Sequence, residues 1–530
     1  MRNLELPGRS PVHATEGMAS TSHPLSTQTA IDVLKSGGNA MDAAVAACAV
    51  QCVVEPESTG IGGDCFCVYS KGGGDEVVAF NGSGRAPKAA NVEWFQEQGI
   101  TEIERQSPHS VTVPSAIDGW DKLLNDHGTK HFDELLRPAI HYARDGYPVA
   151  SRVSFDFKSQ IDLIKQDENL SRVFLRDGKT PERGTLHHQT ELANTLEAIA
   201  ENGRDAFYYG EIAQDMVDYL QSKGGLHTME DFADVEGTYV DPISTEFRGH
   251  TMHQCPPNGQ GIIALILLNI MSEIDVGDDP LDPERLHQEI EAGRLAYNDR
   301  ATYVADPAHA NVPIDWLLSM EHAEELRGHI DPDKAMTDIP PLSGPEHKDT
   351  VYITVVDKDR NACSFINTLY YNFGCGLMAP KSGIVLHNRG MGFRLDPNHP
   401  NCIAPGKRPL HTIIPGMVTK AGKTIMSYGV MGGEYQAYGH MQLLTRMLDY
   451  GLDIQEAQDY PRIFPSPGEF TVQAESGLPA KVADALKAKG HNLIAPAKPI
   501  GGSQAIWIDW QEGVLTGGSD PRKDGCAMGY

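Results

Sequence analysis

The stretch TVYITVVDKDRNACSFINT, residues 350–368, decides both the fold class and the candidate chemistry of this chain. Two runs of alternating apolar residues flank a turn of Asp, Lys, Arg and Asn, and this pattern predicts a β-hairpin. If the turn is centred on Asp359, Thr350 at the start of one strand pairs with Thr368 at the end of the other. Two hydroxyl groups are therefore expected side by side at the open end of the hairpin.

A threonine at the start of such a strand is a candidate nucleophile. Its hydroxyl needs a base, and a free α-amino group on the same residue, with a pKa of roughly 7.7 to 8, can remove the proton at neutral pH. That amine exists only if the chain is cut between Asp349 and Thr350, and the Thr350 hydroxyl can itself attack the Asp349 carbonyl. The alternative is an ordinary cross-strand pair of threonines, worth roughly 0.2 to 1 kcal/mol. The hairpin alone favours this alternative.

The predicted secondary structure of the chain changes around this hairpin. Residues before it are helix-rich, the segment 337–349 carries three prolines and little apolar sequence, and period-two stretches dominate afterwards. This order predicts either two domains or one layered α+β core whose exposed linker is cut during maturation. The nucleophile argument favours the second, with a large fragment 1–349 and a small fragment 350–530.

Individual elements follow from apolar spacing and turn residues. Asn39 is expected to cap a helix of small residues, AMDAAVAACAV, that has no polar face and must be buried against a sheet. The other expected helices are 24–35, 131–146, 189–202, 259–273 and 284–299. The expected strands are 352–357, 362–368, 383–388, 424–430, 504–509 and 513–518.

Composition excludes several classes of function. The 530 residues carry a formal net charge of −28, which repels phosphate backbones and anionic lipid headgroups, so neither nucleic acid nor a membrane is expected as a partner. The N-terminal sequence has no apolar signal core and no later stretch is long enough to span a bilayer, which favours a cytoplasmic protein. No His, Cys, Asp or Glu cluster has metal spacing, so no metal or other cofactor is expected.

Long segments of the chain resemble the γ-glutamyltransferase family in the same order along the sequence. They include GMASTSHPLSTQTAIDVLKSGGNAMDAAVA, EPESTGIGGDCF, VTVPSAIDGW, RPAIHYARDGYPV, EAGRLAYNDRATYVADP and the closing GGSDPRKDGCAMGY. The resemblance implies the four-layer αββα sandwich of N-terminal-nucleophile hydrolases, built jointly by two fragments that form a heterodimer. It also implies that Thr350 is the nucleophile and, through its amine, the base.

The resemblance assigns further residues. Thr368 matches a second family threonine, and Gly432-Gly433 matches a pair whose N–H groups form an oxyanion hole, a feature worth roughly 3 to 4 kcal/mol. The family default is a small-molecule amide of the γ-glutamyl, glutathione type. The candidate substrate-binding residues at the corresponding positions, where most differ from the family's own residues, are Tyr370, Asn388, Arg389, His411 and Thr412. Arg85 is a further candidate that lies near the family's carboxylate-binding Arg, which precedes its AP by three residues rather than one.

This chain departs from the family in the pocket for the glutamyl group. Well-studied transpeptidases carry an Asp, which pairs with the glutamyl ammonium, where this chain has Gly392, and Arg389 is gained nearby. Such changes resemble the branch containing cephalosporin acylase-like proteins and oxamate amidohydrolase, and they shift recognition toward a carboxylate. Arg389 in a structural ion pair and His411 as a hydrogen-bonded structural residue are the plainer alternatives.

Three functions therefore remain open from the sequence. The first is γ-glutamyl transfer or glutathione hydrolysis, and the second is hydrolysis of another carboxylate-bearing amide such as oxamate or a glutaryl amide. The third is an uncleaved relative that keeps the fold without catalysis.

Overall fold

The computed structural model describes residue 5 and residues 8–338 and 350–530. Asp349 and nearly all of the segment 337–349 lie outside the described residues, so the predicted boundary between a large and a small fragment stays a prediction. Thr350 is described, and it is fully buried.

The strands number nineteen among the described residues. In chain order they are β1 Val12–Ala14, β2 Met18–Thr21, β3 Asp64–Ser70, β4 Val77–Gly82, β5 Tyr147–Pro148, β6 Leu186–His187, β7 Thr238–Val240, β8 Ile243–Phe247, β9 His250–Gln254, β10 Val351–Val356, β11 Ala362–Thr368, β12 Gly416–Lys420, β13 Lys423–Met431, β14 Ile463–Pro465, β15 Thr471–Ala474, β16 Asn492–Ile494, β17 Gly502–Asp509, β18 Val514–Ser519 and β19 Cys526–Gly529.

The α-helices of the described residues are α1 Pro24–Lys35, α2 Ala40–Val54, α3 Val92–Glu97, α4 Ala116–His127, α5 Phe132–Leu135, α6 Arg137–Asp145, α7 Ser151–Ser159, α8 Ile161–Lys165, α9 Glu168–Phe174, α10 Thr190–Asn202, α11 Arg204–Tyr208, α12 Glu211–Ser222, α13 Met229–Ala233, α14 Gly261–Met271, α15 Pro283–Tyr303, α16 Ile314–Leu317, α17 Met320–Gly328, α18 Tyr435–Leu448, α19 Ile454–Asp459 and α20 Ala480–Ala488. Among them, no helix is long and apolar enough to cross a bilayer.

Two seven-stranded sheets form the centre of the molecule. The first has the order β1-β18-β17-β13-β12-β9-β8 and the second the order β19-β2-β10-β11-β3-β4-β7. Each sheet takes strands from both sides of residue 350, so neither part of the chain completes a sheet alone. Two chains produced by a cut before Thr350 would remain interleaved.

The two sheets face each other and helices cover their outer faces. An apolar core that includes Tyr352, Ile366, Met417 and Ile506 lies between the sheets. A second core joins α1 and α2 to the second sheet, and a third joins α14, α15 and α18 to the first sheet. The predicted four-layer αββα sandwich of the α+β class is confirmed.

Helix α2 illustrates how local sequence produces this packing. Asn39 accepts hydrogen bonds from the N–H groups of Met41 and Asp42, and the Asp42 carboxylate accepts from the Asn39 N–H, which completes a capping box. Every residue of α2 is buried, as its small side chains predicted. The helix packs against α1 and against β10 and β11, the two strands of the hairpin.

Two element predictions were wrong. Residues 383–388 form no ladder strand; Leu386 makes an isolated bridge to Gly62 and Val385 one to Met378, because this buried segment bonds to loops on both sides. The predicted helix at 131–146 is split into α5 and α6 at Leu136, with Pro138 in the first turn of α6. The residues before 337 also supply nine strands in addition to their helices.

Candidate active site

The hairpin of β10 and β11 has the predicted register. Val351 pairs with Asn367 and Val356 with Ala362, so the pairing continues to Thr350 and Thr368. Their two hydroxyl oxygens are 3.1 Å apart, within hydrogen-bond distance. The Tyr370 N–H also donates to the Thr368 hydroxyl at 2.8 Å, which fixes that oxygen from the other side. The local sequence therefore places the buried Thr350 hydroxyl next to the Thr368 hydroxyl, which the Tyr370 N–H holds in a fixed orientation.

The Gly432-Gly433 pair lies across from the start of β10. Facing residues of the two sheets touch: the Thr354 hydroxyl donates to that of Ser427 at 2.7 Å, and the Tyr352 ring covers Gly429 so closely that a Cβ there would lie 2.3 Å from it. Two residues further along each strand, Thr350 falls opposite Met431, the residue before Gly432. Continuing this alignment predicts that the glycine pair lies near the Thr350 hydroxyl.

This glycine pair needs its backbone freedom. It connects the end of β13 to the start of α18, with φ of 118° at Gly432 and 56° at Gly433. A Cβ at Gly432 would lie 2.8 Å from the Gly501 Cα, so a side chain there is both strained and crowded. The tight turn places backbone N–H groups at the N-terminal end of a fourteen-residue helix, a position that favours negative charge.

Tyr370 connects Arg389 to the two threonines. Its guanidinium carbon is 3.7 Å from the centre of the Tyr370 ring, and its Nη1 donates to the Thr412 hydroxyl at 3.1 Å. The side chain is fully buried in a turn, Arg389–Gly392, that follows Asn388. Asn388 supports the same turn, because its side-chain oxygen accepts from the Tyr371 N–H at 3.0 Å.

Arg389 has unused hydrogen-bonding capacity. Its Nε and Nη2 are buried and have no hydrogen-bond partner among the described residues. Burial lowers the pKa of Arg389 to about 10, and the guanidinium therefore stays protonated at neutral pH. Buried donors without acceptors are rare in folded proteins because each costs about 1 to 3 kcal/mol.

Gln260 connects this pocket to the glycine pair, and sequence analysis did not identify it. Its side-chain nitrogen donates to the carbonyls of Thr412 at 2.8 Å and Gly433 at 2.9 Å. Its side-chain oxygen accepts from Arg300 at 2.8 Å. Polar residues in a turn before an apolar helix were the only sequence signal, and such turns are common.

The remaining candidates are placed differently. His411 is fully buried behind the pocket, with Nε2 3.0 Å from an Asp64 oxygen, so it supports the turn that carries Thr412. Arg85 donates to the Gly406 carbonyl and lines a separate cavity of about 50 Å³. Within the described residues it has no hydrogen bond to Thr350, Tyr370 or Arg389. A cavity of about 710 Å³ beside Met391 is likewise lined by none of these three.

The four layers and the buried threonine at the head of a central strand are those of an N-terminal-nucleophile hydrolase. Comparison with known proteins identifies the family within this class of hydrolases. The family model described as gamma-glutamyltranspeptidase matches residues 26–530. The chain therefore belongs to the γ-glutamyltranspeptidase family.

Relatives with different printed activities resemble the chain over nearly all of its length. The glutathione hydrolase-like YwrD proenzyme of Bacillus subtilis is 38% identical over 98% of this chain and 99% of its own. The oxamate amidohydrolase proenzyme of Klebsiella pneumoniae is 32% identical over 98% of this chain and 99% of its own. The crystal structure of cephalosporin acylase from Bacillus halodurans superposes with a TM-score of 0.93 at 38% identity, covering 100% of this chain and 99% of that one.

Proposed function

We propose that the chain is a proenzyme that cuts itself before Thr350 and then hydrolyses an amide whose acyl group carries a carboxylate. The two chains remain together as a heterodimer because both sheets contain strands from each. All three relatives above are named for amide hydrolysis or acyl transfer, and two of them are named as proenzymes.

Once the cut frees the Thr350 amine, the proposed catalytic cycle uses that amine, the hydroxyl groups of Thr350 and Thr368 and the glycine pair. The Thr350 amine takes the proton of the Thr350 hydroxyl, and the oxygen forms a bond to the amide carbonyl carbon. The N–H groups of Gly432 and Gly433 hold the resulting oxyanion, and the Thr368 hydroxyl orients the attacking oxygen. As the C–N bond breaks, the leaving nitrogen takes the proton from the ammonium. Water then adds to the carbonyl carbon of the Thr350 ester. The ester bond breaks, which releases the acyl group as a carboxylic acid and restores the Thr350 hydroxyl.

The observation that carries the substrate proposal is the pair of unpartnered donors on Arg389. A carboxylate can accept from Nε and Nη2 together, the side-on fork geometry for which guanidinium is suited. Three contacts link Arg389 to Thr350, with Tyr370 and Thr368 as the two intervening residues. An acyl group with a carboxylate at one end would therefore reach the nucleophile at the other.

The structure around Gly392 disfavours recognition of an α-ammonium group. Gly392 has no side chain, and a Cβ there would lie 2.8 Å from the Leu410 carbonyl oxygen, so the turn has no room for the missing Asp. The carboxylate of Glu434 is engaged by Arg300 at 2.7 Å. A glutamyl donor would gain little from its amino group, which favours an acylase-type substrate over glutathione.

The test compares p-nitroanilides that differ in one group. We expect glutaryl-p-nitroanilide to be hydrolysed with a kcat/KM equal to or above that of L-γ-glutamyl-p-nitroanilide, and well above that of butyryl-p-nitroanilide, which lacks the carboxylate. Oxamate belongs in the same panel as the smallest carboxylate-bearing amide. A tenfold or larger preference for the amino-bearing donor would instead support the γ-glutamyl function, and equal rates for glutaryl and butyryl would refute carboxylate recognition. Thr350→Ala serves as the blank.

A further inference from the structure

Asp64 is a buried carboxylate directly behind the candidate active site. It is the first residue of β3, it pairs with Thr368 in the second sheet, and it is completely buried. One carboxylate oxygen accepts from the Gly84 N–H at 3.1 Å and from the Ser115 hydroxyl at 3.0 Å. The other faces two histidines, His411 at 3.0 Å and His387 at 3.5 Å. A charge buried at this depth requires compensation from its surroundings.

The two histidines have different hydrogen-bond partners. His411 Nε2 donates to Asp64 while its Nδ1 accepts, at 3.4 Å, from the Ile413 N–H, so a neutral ring satisfies both contacts. His387 Nε2 donates to the Thr112 carbonyl at 2.8 Å. Its Nδ1 faces Asp64 and makes no hydrogen bond among the described residues. A proton on that Nδ1 would complete an ion pair with Asp64.

Arg389 opposes this proton. His387, Asn388 and Arg389 are consecutive. Burial is the largest effect and lowers the pKa of His387, Asp64 raises it, and the guanidinium charge of Arg389 adds a smaller lowering effect. Without a bound carboxylate, burial together with Arg389 outweighs the effects of Asp64 and the Thr112 carbonyl, and His387 stays neutral at neutral pH. A carboxylate bound to Arg389 adds a negative charge to the same buried group, which leaves His387 as the titratable site able to restore neutrality.

We propose that Asp64 is a positioning residue that makes substrate binding proton-linked: when a carboxylate occupies Arg389, His387 takes up one proton at Nδ1 and pairs with Asp64. The inference rests on the proposed recognition of a carboxylate by Arg389. Through His387 and His411, Asp64 also supports both turns of the pocket, the one carrying Arg389 and the one carrying Thr412. The role requires a carboxylate at position 64, not merely a polar side chain.

The direction of the pH dependence follows from this linkage. Among the described residues, the charged and titratable groups facing His387 are Asp64, Arg389, His411 and His227, and the neutral Thr112 carbonyl accepts the hydrogen bond from Nε2–H. Bound carboxylate raises the pKa of His387 above its value in the free enzyme. Affinity therefore increases as the pH falls through the pKa of the complex, by at most about tenfold per pH unit, and levels off below the pKa of the free enzyme.

The test measures the proton directly. Oxalate is titrated calorimetrically into the matured enzyme between about pH 6 and 7.5, where both its carboxyl groups are ionised, in buffers of different ionisation enthalpy. The dependence of the heat on the buffer gives the protons taken up per bound oxalate. We expect a fraction of a proton that grows toward one as the pH is lowered. Glutarate near pH 7 provides a longer dicarboxylate probe.

Three variants assign the proton. Asp64→Asn and His387→Asn are expected to lose the proton uptake at low pH, whatever their affinity for oxalate near pH 8. His440→Gln is the matched control, because His440 is equally buried with a low pKa but lies in α18 beside Gln254. It should retain the full uptake. If Asp64→Asn does not fold, wild type and His387→Asn suffice.

The outcomes separate the two proposals. Oxalate binding without proton uptake, or uptake that persists in His387→Asn, overturns this inference and leaves carboxylate recognition standing. No binding of oxalate or glutarate to wild type overturns the recognition itself and this inference with it.

Discussion

Replacing Arg389 with methionine tests the substrate pocket most sharply, since activity and stability should respond in opposite ways. Methionine fills the same buried space but removes the charge and every donor. If a substrate carboxylate accepts from Nε and Nη2, and each charge-assisted hydrogen bond is worth about 1.5 to 3 kcal/mol, the variant loses about 3 to 6 kcal/mol of transition-state binding. That corresponds to a loss of roughly 10²- to 10⁴-fold in kcat/KM.

The free energy of unfolding should change little. Among the described residues the Arg389 side chain makes one hydrogen bond, and it bears the cost of a buried charge, so methionine is expected to be neutral or stabilising within about 1 to 2 kcal/mol. Arg408→Met is the matched control. Arg408 is also buried with its pKa lowered to about 10, yet it donates to the carbonyls of Ser83 and Glu236, so its loss should destabilise the fold.

The assay is kcat/KM with glutaryl-p-nitroanilide and butyryl-p-nitroanilide, together with urea unfolding of each variant. Arg389→Met should lose activity on the glutaryl substrate and keep its activity on the butyryl one within about threefold. A loss below tenfold on the glutaryl substrate, or equal losses on both, would refute the role given to Arg389.

Three other predictions concern the catalytic groups and the core. Thr368→Val removes a hydroxyl that is hydrogen-bonded to Thr350 and leaves the Tyr370 N–H unpaired. We expect both the rate of self-cleavage, followed by denaturing electrophoresis, and kcat, from steady-state kinetics, to fall about tenfold or more. Thr368→Ser should keep most of both. Gly432→Ala should lower kcat about 10²-fold because it distorts the oxyanion turn, while Gly451→Ala, at a positive φ but with open space around it, should cost only stability; a Gly432→Ala enzyme with normal kcat would contradict the assignment. Burial lowers the pKa of His440 to about 3, so the unfolded chain binds a proton there that the native state does not; unfolding free energy should therefore fall as the pH drops below about 6.5, and His440→Gln should reduce that slope by about 1.4 kcal/mol per pH unit in urea titrations.

The hairpin shows how far local sequence reaches. The alternation of residues 351–356 and 362–368 with a polar turn between them determines both strands and their register, because a shift of one residue would turn every apolar side chain to the other face. The cap at Asn39 was predictable for a similar reason, since the groups of its capping box lie within three residues of it, and the small apolar side chains of the following helix predicted that helix's burial. Resemblance to a family then supplied the layers.

What the sequence did not predict depends on contacts between distant residues. Residues 383–388 alternate like a strand, but their partners are single residues of separate loops, so no ladder forms. Gln260 acts through the carbonyls of Thr412 and Gly433, more than 150 residues away. Asp64 was visible only as a charge at the head of an apolar strand, and its importance appears when His387 and His411 are brought to it.

The central claim is that Thr350 becomes an N-terminal residue and carries the acyl group. Intact mass spectrometry of the purified, active protein, before and after a brief quench with glutaryl-p-nitroanilide, tests it directly. The account predicts two chains, the smaller beginning at Thr350 and gaining the mass of one glutaryl group, and a single uncut chain for Thr350→Ala. An active enzyme that remains one chain, or an acyl group found on any other residue, would contradict it.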